Sequence, residues 1–270
     1  DKLNFFNPKA GITYRASDVS RLYISYAKAQ REPNRSDYEN GNPKPESLND
    51  YELGWRYNKE KIQVQANMYF MDYKNQLVLT GALDEVGEPI RTNSGDSYRF
   101  GLEVEAAVRL ADQWVWQPNI ALSSNKNEEF YFNRDGQLQN LGKTNISYSP
   151  AIVGASNLVY SPNTVFRIAL LTKYVGEQYM GNIDADLSKL KAYLTNDINI
   201  SYVWTPNSWI KEAQFSLLFN NILNELYSSN GFFYTFDDDY SVPNVVTTIE
   251  GVGYYPQAGA NFLLGVTFRF

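Results

Sequence analysis

The sequence predicts an all-β fold, a transmembrane antiparallel up-and-down β-barrel, with about eleven strands forming a single partial barrel domain over residues 1–270. Three observations predict it. Apolar and polar residues alternate with period two, the strand period, through most of the chain. The alternating runs are long. The connections between them are short and long by turns.

Strands are expected at 9–16, 20–31, 47–58, 61–75, 97–110, 113–128, 148–160, 164–179, 192–205, 212–227 and 258–270. Tyr51, Leu53, Trp55 and Tyr57 alternate with Glu52, Gly54 and Arg56. Ile62, Val64, Ala66, Met68 and Phe70 alternate with Gln63, Gln65, Asn67 and Tyr69. Tyr98, Phe100, Leu102, Val104 and Ala106 alternate with Arg99, Gly101, Glu103 and Glu105. Toward the C-terminus, Ile198, Ile200, Tyr202 and Trp204 share a face, as do Phe215, Leu217 and Phe219. Most runs exceed the ~5–6 residues usual in globular sheets and reach the ~9–11 that a tilted strand needs to cross a bilayer. Connections at 17–19, 58–60, 111–112, 161–163 and 205–211 are short, whereas those at 32–46, 76–96, 129–147, 180–191 and 228–257 are long and polar. Tight turns at one end and large loops at the other describe a meander; a Greek-key sandwich would mix loop lengths at both ends.

The chain has 24 Lys+Arg and 30 Asp+Glu, a net charge of −6, and neither Cys nor His. Within these residues that excludes disulfides, thiolate chemistry, a Ser-His-Asp triad and a His-ligated metal or haem. No apolar run approaches the ~18–20 residues of a membrane-spanning helix. An acidic balance argues against a nucleic-acid partner. The 21 Tyr suit surfaces where one end of a ring is greasy and the other wet. Trp114, Trp116, Trp204 and Trp209 gather at the short-turn end, as an interfacial girdle would.

Phe262, Leu264, Val266, Phe268 and Phe270 form an alternating C-terminal run that resembles the C-terminal signature of bacterial outer-membrane proteins, which the resemblance implies is read as a barrel-assembly signal. With that end periplasmic, the first strand starts outside. Bacterial single-chain barrels have an even strand number, so an odd count is expected to be a piece, about half, of a 22-stranded barrel. A chain starting at Asp1 rather than Met is likewise expected to lack its natural N-terminus.

The motifs Pro45-Glu46-Ser47-Leu48-Asn49-Asp50-Tyr51-Glu52-Leu53-Gly54, Tyr98-Arg99-Phe100-Gly101-Leu102-Glu103 after Asn93, and Asn220-Asn221-Ile222-Leu223-Asn224-Glu225-Leu226-Tyr227 resemble elements of TonB-dependent outer-membrane receptors. Tyr69-Phe70-Met71-Asp72-Tyr73-Lys74-Asn75-Gln76-Leu77 resembles versions associated with Bacteroidetes. The resemblance implies the C-terminal part of the receptor barrel, without the plug domain and TonB box. It implies residence in the outer membrane of a Gram-negative bacterium, with lipid, TonB and a small-molecule cargo as partners. Active import of a scarce nutrient would follow. A ferric siderophore is the first choice; cobalamin, or glycans or peptides with a surface lipoprotein, is the alternative. No enzyme is expected, because a His base is impossible here and no other catalytic motif stands out. A passive porin would need a complete barrel. A soluble β-sheet binding module would bury the Phe262–Phe268 face under protein.

Two loop features are candidate sites. Phe232, Phe233, Tyr234 and Phe236 can stack on ligand rings or sugar faces, or simply pack against neighbouring loops. Asp237, Asp238 and Asp239 offer hard oxygens for a Ca²⁺ ion, without EF-hand spacing, or stay hydrated; Asp184 and Asp186 are a weaker pair. No other cofactor is expected. Asn220, Asn221 and Asn224 are expected to bond freed backbone groups, and Gly54 and Gly101 to admit a close neighbour on the polar face.

Overall fold

The computed structural model describes residues 3–39, 41–83, 89–93, 95–206 and 209–270, so parts of the connections at 32–46, 76–96 and 205–211 lie outside the described residues. One antiparallel sheet holds β1 (Lys9–Arg15), β2 (Ser20–Arg31), β3 (Glu46–Lys59), β4 (Ile62–Lys74), β5 (Ser97–Ala111), β6 (Trp114–Asn127), β7 (Ile152–Tyr160), β8 (Phe166–Val175), β9 (Tyr193–Trp204), β10 (Glu212–Asn220) and β11 (Asn261–Arg269). Each pairs with the next in chain order, as a meander requires, and the short segment Thr144–Asn145 adds to β6.

The register carries the sequence alternation across the sheet. Ile12, Ile24, Leu53, Met68, Leu102, Leu122 and Ile152 are successive cross-strand partners on one face. Leu158, Leu170, Ile198, Phe219 and Phe262 continue that face to the last strand. The opposite face carries Ser25, Glu52, Tyr69, Gly101 and Ser123 in one row. The apolar face is uncovered: Ile24 is 58% and Leu264 69% exposed. A contiguous surface of that kind exceeds what soluble monomers leave to water and suits lipid. Trp55, Trp114, Trp116 and Trp204 ring its short-turn end, with Trp55 and Trp116 donating to Ser20 and Ser156.

Several strands stop short of their expected loop-side ends. The strand expected at 148–160 begins at Ile152, because Tyr148 has φ 53° and its N–H donates to Tyr179 O. The one expected at 212–227 ends at Asn220, where Asn221 turns to φ 50°. The long connections are not featureless polar loops. Among the described residues they hold four two-stranded units: Leu77–Leu83 with Pro89–Asn93, Tyr131–Arg134 with Gln137–Asn140, Gln178–Tyr179 with Lys189–Leu190, and Ser228–Asp238 with Thr247–Pro256.

The buried apolar cluster also sits there. Val78, Phe130 and Phe132 pack together with Leu141 and Ile183, drawing on three different connections.

Candidate ligand-binding site

The loops interlock side by side through side chains that satisfy backbone groups. Asn93 accepts from Lys44 N–H and donates to the carbonyls of Lys44 and Asn75. Asp184 accepts from both the backbone and the amide of Asn145, and Asn182 accepts from Ser147 N–H. Tyr148 donates to Gly231 O, and Tyr254 donates to Leu187 O. Burial pushes the Tyr148 hydroxyl above its ordinary range, which keeps it a donor.

The asparagine motif after β10 anchors the last and longest loop. Asn221 donates to the carbonyls of Glu225 and Ala258 and accepts from Glu225 N–H, and Asn224 accepts from Ala260 N–H. Asn221 and Asn224 both have positive φ, a conformation Asn tolerates better than most residues. The expectation that these amides bond freed backbone groups therefore holds for Asn221 and Asn224; Asn220 instead donates to the Asn261 side chain.

The aromatic run of the last loop lies on the hairpin strand Ser228–Asp238, so alternation divides it. Phe232, Tyr234 and Phe236 form a ladder on one face, with centroids 6.2 and 6.4 Å apart and ring planes within 21° and 16°. Tyr255 joins Phe232 at 6.0 Å. Phe233 points the other way, against Gly181. The ladder rings recline over the partner strand: Phe232 lies over Gly253 and Tyr234 over Gly251, where any Cβ would overlap the ring. The alternating glycines of Gly251-Val252-Gly253 are the sequence signal that could have marked this platform. The back face, with Gly231, Phe233, Thr235 and Glu250, meets Met180, Gly181 and Arg134 of the other loops. The ladder thus faces away from them, with Phe232 46% exposed.

The acidic run is spread rather than gathered. Asp237 accepts from the Thr248 hydroxyl, and Asp238 from the N–H groups of Tyr240 and Ser241, while Asp239 stays exposed. Hydrogen bonds from Ser241, side chain first, hold the Asp238 carboxyl below its ordinary value. Asp184 is committed to Asn145, and Asp186 stands 3.8 Å from Lys189. Among the described residues no group of three acidic side chains gathers in one place.

On the polar face of the sheet, two glycines seat rings. Tyr23 lies over Gly54 and donates to Asn67, and Tyr69 lies over Gly101. Arg56 sits 5.6 Å from the Tyr23 centroid. Nearer the loops, a pocket of about 300 Å³ is lined by Arg31, Glu46, Leu48, Tyr73, Leu77 and Arg99. Glu46 is paired with Arg31 and accepts from Leu77 N–H, while Arg99 rests over the Tyr73 ring at 4.9 Å. This pocket joins residues from four separate segments, and nothing in the sequence groups them. Phe262, Leu264, Val266 and Phe268 lie on the apolar face of β11, and Phe270 stacks on Trp209 at 5.1 Å.

The sequence matches the profile described as TonB dependent receptor-like, beta-barrel over residues 1–224. The chain belongs to the TonB-dependent receptor β-barrel family. Its fold is similar to the ferric-catecholate import receptor Fiu from E. coli K12 in its closed form (17% identity, TM-score 0.66, covering 96% of this chain and 34% of that one). It is also similar to the unliganded ferric citrate transporter FecA (16%, TM-score 0.69, 97% and 38%) and to the copper transporter OprC (17%, TM-score 0.68, 96% and 39%). No curated protein matches the sequence. These structural relatives are named as receptors and transporters. It spans between 34% and 39% of their length.

Proposed function

We propose that the chain is the C-terminal half of a 22-stranded barrel in the outer membrane of a Gram-negative bacterium, importing a scarce nutrient with energy from TonB acting through a plug domain. The single observation that carries this is the uninterrupted apolar face of eleven strands backed by a polar one, in a chain of this family. The cargo is a ferric siderophore. Support comes from relatives named for ferric-catecholate and ferric citrate uptake. The long loops face the outside and receive it. The ladder of Phe232, Tyr234 and Phe236, exposed on the side of the last loop turned away from its neighbours, is the surface the cargo meets first. Phe262, Leu264, Val266, Phe268 and Phe270 serve as the assembly signal.

A strain lacking the gene, grown with single iron, cobalamin or glycan sources, tests the cargo. Loss of growth on ferric siderophores alone is expected; loss only on cobalamin or a glycan would replace the siderophore. A thiol label at Asp238→Cys should react on intact cells and one at Lys59→Cys should not. The reverse pattern would invert the orientation.

A further inference from the structure

We propose that the tip of the 131–140 hairpin is a clasp that fixes the aromatic ladder, with Arg134, Asp135, Thr248 and Glu250 as its positioning residues. The ladder's role as a cargo surface rests on the import reading above; the clasp itself does not.

The tip is rigid by construction. Only Asp135 and Gly136 join Tyr131–Arg134 to Gln137–Asn140, and both have positive φ, 53° and 71°. That is the type I′ geometry for which Asp-Gly is a preferred pair. The turn aims the Asp135 backbone and carboxylate at one residue of the last loop. Asp135 N–H donates to Thr248 Oγ1 at 2.7 Å, and Thr248 N–H donates to Asp135 Oδ1 at 2.8 Å. The same hydroxyl donates to Asp237 Oδ1 at 2.8 Å, so Thr248 ties together the hairpin tip and both strands of the last loop. Beside it, Arg134 Nη2 donates to Glu250 Oε1 at 2.6 Å, with the two side chains 36% and 21% exposed. The Val246 side chain sits against Gly136.

Thr248 and Glu250 point to the back of the hairpin. Ile249 and Gly251, interleaved with them, point to the front and oppose Phe236 and Tyr234. Holding 248 and 250 from behind therefore holds the strand over which the ladder rings recline. A ladder fixed in advance spares binding the cost of ordering it.

The test uses the full-length receptor in detergent, without cargo. Amide exchange is read across 228–256, and a distance is read between spin labels at Leu138→Cys and Tyr240→Cys, sites 72% and 77% exposed. Thr248→Val should speed exchange in 228–256 about tenfold, the scale of one or two lost hydrogen bonds. It should also broaden the distance distribution and leave the wall strands unchanged. Thr248→Ser should restore both. Arg134→Glu and Glu250→Arg should each loosen the hairpin, and together tighten it again. The clasp is overturned if Thr248→Val behaves as the parent, if Ser is as loose as Val, if the swapped pair fails to recover, or if loosening spreads equally into the wall. Because no cargo is present, failure here leaves the import reading standing, and failure of that reading leaves the clasp.

Discussion

In the wall, Ile24, Leu53 and Leu264 are 58%, 48% and 69% exposed, whereas in the loops Phe130 and Met180 are 2% and 3% exposed. Both regions are built from antiparallel strands, yet they bury opposite things. The wall turns its apolar residues outward and keeps Glu52, Glu103 and Asn67 on the other face. The loop assembly turns Val78, Phe130 and Phe132 inward and ties its rim together with amides and carboxylates. The wall is fitted to a solvent of acyl chains, where satisfied backbone ladders matter and a protein core is not needed. The loops stand in water and need a core of their own. Single substitutions should therefore have effects of different size and reach in the two regions.

The largest effect is expected in the loop core. Phe130→Ala removes a ring packed against Val78, Phe132, Leu141 and Ile183 and leaves a cavity. Phe-to-Ala changes in cores cost about 3–5 kcal/mol. Amide exchange and limited proteolysis should show that loss in the loops at 76–96, 129–147 and 180–191, with the wall strands still protected. An equal loss in the wall would mean that the two regions fold as one unit.

Next comes the wall. Val104 shares the apolar face with Ala66 and Ile120. Val104→Arg should destabilise the receptor by about 2–4 kcal/mol in lipid, the cost of a cation near mid-bilayer. Gln65→Arg, one position out of phase on the polar face, should stay within about 0.5 kcal/mol. Denaturant unfolding in vesicles measures both, and matching costs would mean that neither face meets lipid.

These two cases also mark what the sequence made legible. The eleven wall strands could be read because an apolar face on one side and a polar face on the other impose a period of two. The loop architecture could not, because its core takes Val78, Phe130 and Ile183 from three connections, and short amphipathic runs between polar residues carry little periodic signal. Asp135-Gly136 is a hairpin signal in the sequence, but the strands on either side of it are only four residues long and carry little periodicity. The aromatic run was visible as a cluster, but alternation separates Phe233 from the other three. The acidic run looked like a ligand set, yet Asp237 and Asp238 spend their oxygens on the loop's own groups.

A smaller effect belongs to the glycine seats, which both regions use. Gly54→Ala would push the Tyr23 ring off the strand and break its hydrogen bond to Asn67, a loss of about 1 kcal/mol. The ring is the free end of a side chain and can swing away, which keeps the cost modest. In a Tyr23→Ala background the same change should cost nothing. A cost that persists there would locate the constraint in the backbone of β3.

The smallest effect is a pH dependence confined to the rim. Asp238 accepts from the side chain and backbone of Ser241 and from Tyr240 N–H, and these bonds hold its carboxyl below the ordinary value of 3.8. A depressed folded value means that the carboxylate stabilises the turn above the unfolded value and stops doing so as pH falls through the folded one. The turn should therefore be unchanged from neutrality down to about pH 5 and open progressively below about pH 4. Protection of the Tyr240 and Ser241 amides, corrected for intrinsic exchange, follows it. Asp238→Asn keeps an acceptor oxygen but cannot titrate, so its protection should be flat over the same range. A parent profile equally flat would mean that the backbone of 238–241 holds the turn without the charge.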